Sequence, residues 1–234
     1  MSFDEIYQQL QTLGTEQTRQ TYRRHGCGDH VFGVSFAELG KLKKQLVGRG
    51  KDRAHAHALA RQLWPTGNFE ARTLATMLAD PQQLSAAEAE AWAAEVPNHA
   101  LADSLAALVA ETPFAQAKLA EWTATPDEYR QRLGFALLGR LALQDAALPD
   151  AFFEPYIRQI EQQLAGAANR AREGMNNCLI SIGSRNEALR QRVEAAADRI
   201  GPVSIDHGDT ACQTFDVRPY LAKVWARKAA RASA

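Results

Sequence analysis

Few features that would announce a chemistry occur in these 234 residues. Cysteine appears only as Cys27, Cys178 and Cys212, an odd number at spacings that fit neither a disulfide framework nor a paired zinc site. Reduced thiols in a cytoplasm are the plain reading. Net charge is absent too: 27 lysines and arginines balance 27 aspartates and glutamates, so no global positive field draws the chain to nucleic acid or an acidic membrane. Any such binding must use a local patch. No run approaches the ~20 apolar residues of a membrane-spanning helix. The opening MSFDEIYQQL carries acids where a secretory signal has lysine or arginine. A soluble, cytoplasmic protein is expected.

Chemical signatures are equally sparse. There is no glycine-rich phosphate loop of Walker or Rossmann type. His25, His30, His55 and His57 are scattered, and Cys27 beside His25, Asp29 and His30 in a glycine-rich turn does not make a nucleophilic dyad. His207, Asp209 and Cys212 are possible metal ligands, but a fourth is missing and the spacing follows no zinc signature. Turn and cap roles suit that loop better than metal binding. Alternating β-branched runs that would read as strands are missing as well.

What is present is helical periodicity along almost the whole chain, which makes the class all-α. Ser2 or Asp4, Thr15, Ser35 with Glu38, Asn68, Ser85 and Asn98 each stand where a helix can open. Helices are expected over residues 4–13, 15–25, 35–48 and 53–63, then from Asn68 to Asp80 and from Ser85 to Val96. Further helices run from Asn98, from Thr112-Pro113 to Thr123, from Pro126 to Leu143, and over 151–164, 168–182 and 186–200. The glycine-rich connector GCGDHVFGV spans 26–34, and the helix carrying KLKK at 41–44 stops around Gly48 to Gly50. About a dozen helices of this length joined by short turns suit a solenoid of antiparallel pairs, with a globular bundle as the alternative. No strict repeat recurs at a fixed period. A single domain over 1–234 is expected, with helical repeats over 1–200, a polar loop over 201–215 and a basic helix over 216–234 that carries Lys223, Arg227, Lys228 and Arg231.

Three side-chain groupings could carry function. On PNHALADSLAALVAE, residues 97–111, Leu101, Leu105 and Leu108 form one apolar stripe. Asp103 falls on another face, with His99 one turn before it and Ala107 and Ala110 after. Nothing bulky on that face blocks approach to the acid. On the helix near residue 175, Arg170, Gly174, Asn177, Cys178, Ser181 and Arg185 fall along one side, either as a phosphate-facing surface or as an ordinary solvated face. Arg132, with Ala136 and Gly139 beside it, could face the same groove as Asp103 or pair with Glu128 one turn earlier. Lys41, Lys43 and Lys44 make a further local basic cluster.

The order and spacing of VFGVSFAELGKLKKQL, ARQLWPTGNFEARTLATMLAD, NHALADSLA, YRQRLGFALL and NNCLISIGSRN resemble the HEAT-like-repeat DNA alkylation repair proteins, the helical DNA glycosylases, over most of residues 20–200. The resemblance implies a right-handed, C-shaped α-solenoid whose concave basic surface holds duplex DNA. It also implies excision of N3- or N7-alkylated purines without a metal or organic cofactor. A monomer that associates with the nucleoid when bound to DNA is expected. Asp103 matches the family's catalytic aspartate, which stabilises the oxocarbenium sugar and positions water. Arg132 matches the arginine that contacts the backbone near the lesion, and Tyr22 an N-terminal tyrosine of the site. His99 and Asn177 stand where the resemblance leads one to expect tryptophans that cradle the lesioned nucleotide. Losing both indoles removes surface suited to a cation. His99 could donate a hydrogen bond or, if protonated, oppose the aspartate. The DNA-facing set is thus Tyr22, Lys43, Lys44, Arg170, Asn177 and Arg185. The expected function is therefore a DNA glycosylase, with a non-catalytic binder of damaged or branched DNA as the first alternative and a protein-interaction scaffold as the second.

Overall fold

The computed structural model describes residues 1–48 and 52–232, and within these residues every regular element is helical. Gly48 follows the KLKK helix as its cap, while Gly50 lies outside the described residues. In the first part of the chain the helices are α1 (Phe3–Leu13), α2 (Glu16–Arg24), α3 (Phe36–Val47), α4 (Arg53–Leu63), α5 (Phe69–Leu78), α6 (Ala86–Ala94) and α7 (His99–Val109). Then come α8 (Ala115–Ala124), α9 (Glu128–Gln144), α10 (Asp150–Gln163), α11 (Asn169–Gly183), α12 (Glu187–Ile200) and α13 (Val217–Ala232). Short 3₁₀ turns follow α4 and α10.

Local capping explains most of the starts. Ser2, Thr15, Ser35, Asn68, Ser85, Asn98 and Asn186 each accept a backbone N–H three residues on, which satisfies a donor that the first helical turn leaves orphaned. Two starts differ from the expectation. Asp127, not Pro126, caps α9 through the Arg130 N–H at 2.8 Å. A carboxylate here can accept the orphan donor, whereas proline offers no side-chain acceptor. The helix expected from Thr112-Pro113 begins at Ala115, because Thr112 turns its hydroxyl back onto the Val109 carbonyl.

The chain divides into two compact units, Met1–Lys118 with Gly208–Thr210, and Leu119–His207 with Ala211–Ala234. In the first, α5 is the inner helix: Phe69, Ala71, Leu74, Ala75 and Leu78 are buried, and so are Glu70, Thr73 and Thr76. It packs against α1, α3, α4 and α7. A helix enclosed on several sides must satisfy its polar groups locally. Thr73 and Thr76 therefore donate to carbonyls of their own helix, and Glu70 accepts the backbone N–H groups of Phe32, Gly33 and Val34 at 3.0, 2.5 and 3.0 Å. That carboxylate fastens the glycine-rich connector to the core.

In the second unit α9 is the inner helix, with Leu133, Phe135, Leu137, Leu138, Leu141 and Ala142 all buried. The periodicity of both its apolar edges anticipates this. It packs chiefly on α11, which also meets α12 and α13, while α10 packs on α12. Helices two apart in sequence thus stack on one another in both units, α3 on α5 on α7 and α9 on α11 on α13. This is the layered stacking of a helical-repeat protein rather than an up-and-down bundle. Gly134 allows one tight contact: a Cβ there would stand 2.7 Å from the Thr123 nitrogen and 2.8 Å from the Trp122 carbonyl carbon.

Candidate functional site

In the first unit, Asn98 is 1% exposed and holds the start of α7 by accepting the Leu101 N–H at 2.9 Å. Leu101, Ala102, Leu105, Ala106, Leu108 and Val109 are buried, and α7 packs on α5 and α6. The face that remains half-exposed carries His99, Asp103, Ala107 and Ala110. One turn of helix separates the histidine from the aspartate.

Tyr22, on α2 of the same unit, sits in an aromatic cluster. Its ring meets Phe69 edge-on at 5.0 Å and Phe36 at 6.3 Å, and its hydroxyl donates to the Val34 carbonyl at 2.7 Å. Burial, with Glu70 nearby, pushes the phenol well above its ordinary range. Tyr22 therefore works as a fastener between α2 and the connector, with its hydroxyl turned inward. Lys43 and Lys44 are exposed on α3.

In the second unit, Arg132 is 3% exposed, and its Nη1 donates to Glu173 at 2.7 Å and to the Arg170 carbonyl at 3.1 Å. Glu173 also takes a bond from Arg170 Nη1 at 2.9 Å. Burial raises the Glu173 carboxyl, but the opposing pull of Arg132 and Arg170 outweighs it and holds this group below the usual range. Glu128, one turn before Arg132, accepts the Arg170 backbone N–H at 2.6 Å. One helix start and one buried guanidinium are thereby tied together across α9 and α11.

The stripe on α11 does not form one open phosphate-facing surface. Gly174 packs so close to Arg132 that a Cβ would meet its Cγ at 3.2 Å, and a Cβ on Gly139 would meet Ser181 Oγ at 3.2 Å. Cys178 is 2% exposed. These small residues let α9 and α11 approach closely; they belong to a helix interface. Arg185 is also turned inward: it donates to the carbonyls of Ala142, Asp145, Ala146 and Leu148, and its guanidinium lies 5.1 Å from the centre of the Phe153 ring. It clamps the turn between α9 and α10. Asn177 is half-exposed, and its carbonyl accepts from Ser181 Oγ at 3.1 Å.

The His207 loop makes local contacts. His207 Nε2 lies 3.2 Å from Thr214 Oγ1, its Nδ1 is 3.9 Å from Glu173, and Cys212 is exposed. Among the described residues no group of three or more His, Cys, Asp or Glu side chains is placed to hold a metal, and no helix is long and apolar enough to cross a membrane. Glu70 and Glu173 organise much of the polar interior. The partners of Glu70 lie 36 to 38 residues away, and Glu173 joins its near neighbour Arg170 to Arg132, 41 residues away, a link with no local sequence signal.

Stacked helical layers, a half-exposed aspartate on a small-residue face and exposed lysines on α3 define an α-helical repeat protein of the HEAT-like kind. A solved structure described as "a new family of proteins related to the HEAT-like repeat DNA glycosylases with affinity for branched DNA structures" superposes with a TM-score of 0.87, at 23% identity, over 97% of this chain and 95% of that one. The uncharacterized proteins Lmo0209 of Listeria monocytogenes and Lin0241 of Listeria innocua are 26% and 25% identical over 227 residues, 95% of this chain and 97% of each relative. The DNA alkylation repair enzyme family model matches residues 6–208, and the chain belongs to that family. Its role is in DNA repair.

Proposed function

We propose that this protein binds branched DNA during repair and does so without excising a base. The observation that carries this reading is the fold-wide likeness, at a TM-score of 0.87, to a protein whose family has affinity for branched DNA structures. The side chains support it. Arg132, the expected backbone contact, is engaged with Glu173 inside the fold, and both expected indoles are replaced, by His99 and Asn177. Cations suited to phosphate are instead the exposed Lys43 and Lys44 on α3 and Lys223, Arg227 and Arg231 on α13. The last three recur every four residues, so they share one side of a helix that has no acidic residue.

One observation favours a second reading. Asp103 is half-exposed on a face of small side chains, where a carboxylate could stabilise positive charge developing on a deoxyribose during hydrolysis of an N3- or N7-alkylated purine. A single preorganised group of this kind contributes about 3 kcal/mol to such a transition state.

The experiment pairs two measurements. Fluorescence anisotropy compares a four-way junction with a linear duplex of equal length, and a base-release assay uses methylated duplex with wild type and Asp103→Asn. Tighter junction binding, weakening with salt, and no released purine are expected. Equal affinity for both DNAs refutes the branched-DNA reading. Purine release that Asp103→Asn abolishes establishes the glycosylase instead.

A further inference from the structure

The second unit holds a cavity of about 490 Å³ between α11, α12, the segment after Gly201 and the start of α13. Its size falls in the range of small-molecule sites. Leu179, Ile200, Pro202 and Phe215 give it apolar walls. Asp198 and Arg218, each about half-exposed, lie at its solvent edge and pair through two bonds of 2.7 Å.

Two features of this cavity have no evident use in the fold. Asn176, which lines it, is 2% exposed and donates from Nδ2 to the Phe215 carbonyl at 2.8 Å. A carbonyl oxygen can only accept, so that bond fixes the amide orientation and leaves Asn176 Oδ1 as a buried acceptor without a partner. Buried polar atoms are normally satisfied. Phe215, for its part, keeps 52% of its surface in water, with its ring against the exposed Tyr220 ring at 4.9 Å. An exposed aromatic pair beside an apolar cavity is a stacking platform of the sort that single-strand binders use.

We propose that this cavity receives an unpaired DNA base, which stacks on Phe215 and gives an N–H to Asn176 Oδ1. Every base carries at least one N–H donor on its pairing edge, so the site would accept any base that is out of the duplex stack. Because Oδ1 is buried, entry of the base includes a small outward shift of Phe215 and its carbonyl. The inference rests on the branched-DNA reading, since a junction is a source of unstacked bases.

The test compares a duplex carrying one unpaired base with the fully paired duplex, for wild type, Phe215→Ala, Phe215→Trp and Ala197→Phe. Phe215 is half-exposed, so its truncation spares the core, and Ala197 lines the cavity from α12, so a larger ring there fills it. Wild type should prefer the unpaired-base duplex by about tenfold, the worth of one stacked base. Phe215→Ala and Ala197→Phe should erase the preference and leave paired-duplex affinity unchanged, while Phe215→Trp keeps it. Equal binding of the two DNAs by wild type, or a preference that survives both disabling variants, overturns the inference. If neither DNA binds, the branched-DNA reading fails by itself, and deoxyadenosine monophosphate then decides the pocket. A shift of the Asn176 side-chain amide resonances on its addition supports the site, and unchanged resonances overturn it.

Discussion

Replacing Glu173 with glutamine removes a charge from a crowded interior while keeping the side chain's shape. In the wild type this carboxylate faces Arg132, whose side chain is 4% exposed, and Arg170, at 15%. Breaking a fully buried ion pair from one side costs roughly 3–5 kcal/mol. Here the cost is smaller, because Glu173 retains 18% exposure and Arg132 keeps its bond to the Arg170 carbonyl. About 2 kcal/mol near neutral pH is expected. With a urea slope near 3 kcal/mol/M for a chain of this size, the midpoint should fall by roughly 0.7 M. The pH dependence separates charge from packing. The folded carboxyl titrates below its ordinary value of 4.5, so the unfolded chain takes up the proton first as pH falls. The stabilisation is therefore complete above about 4.5 and disappears as pH drops through the lower, folded value. Urea midpoints of both proteins from pH 7 down to pH 3.5 should converge as acid is added. A constant gap across that range would refute the electrostatic account.

Other outcomes follow from single contacts. Arg185→Lys should destabilise the second unit by about 2–3 kcal/mol, since an ammonium cannot reproduce a fork that serves four carbonyls, and hydrogen exchange should rise in residues 143–149. Gly134→Ala, a change that usually helps a helix, should instead cost about 1–3 kcal/mol in thermal unfolding, because the added carbon meets backbone at 2.7 and 2.8 Å. A stabilised variant would show that α8 and α9 can move apart freely. A thiol-reactive chromophore at pH 8 should modify the exposed Cys212 promptly and the other two slowly: burial pushes the Cys27 thiol to about 12 and that of Cys178 higher still. Two or three fast equivalents in the native protein would refute the burial of these thiols.

How much of this was legible in advance varies with the distance over which each interaction acts. Helix starts at Thr15, Ser35, Asn68, Ser85 and Asn98 could be read directly, because a cap joins a side chain to a backbone group three residues away. The inner position of α9 was legible from its two apolar edges, and the small-residue face around Asp103 from the period of α7. Family membership came from block order, with no one motif sufficient. Arg132, Arg170 and Arg185 show where such reasoning stops. A guanidinium at the end of a long side chain looks the same in the sequence whether it meets phosphate, water or a buried carbonyl. Only packing of α9 on α11 brings Glu173 within 2.7 Å of Arg132, and only the turn after α9 gathers carbonyls around Arg185. The sequence by itself determined the helices, most of their caps and their apolar faces, since these depend on residues within a turn or two. Tertiary structure decided which charges are used inside the fold and which remain for a partner, since the pairing of Arg132 with Glu173 and of Arg185 with its carbonyls joins residues some forty positions apart and exists only once the helices have stacked.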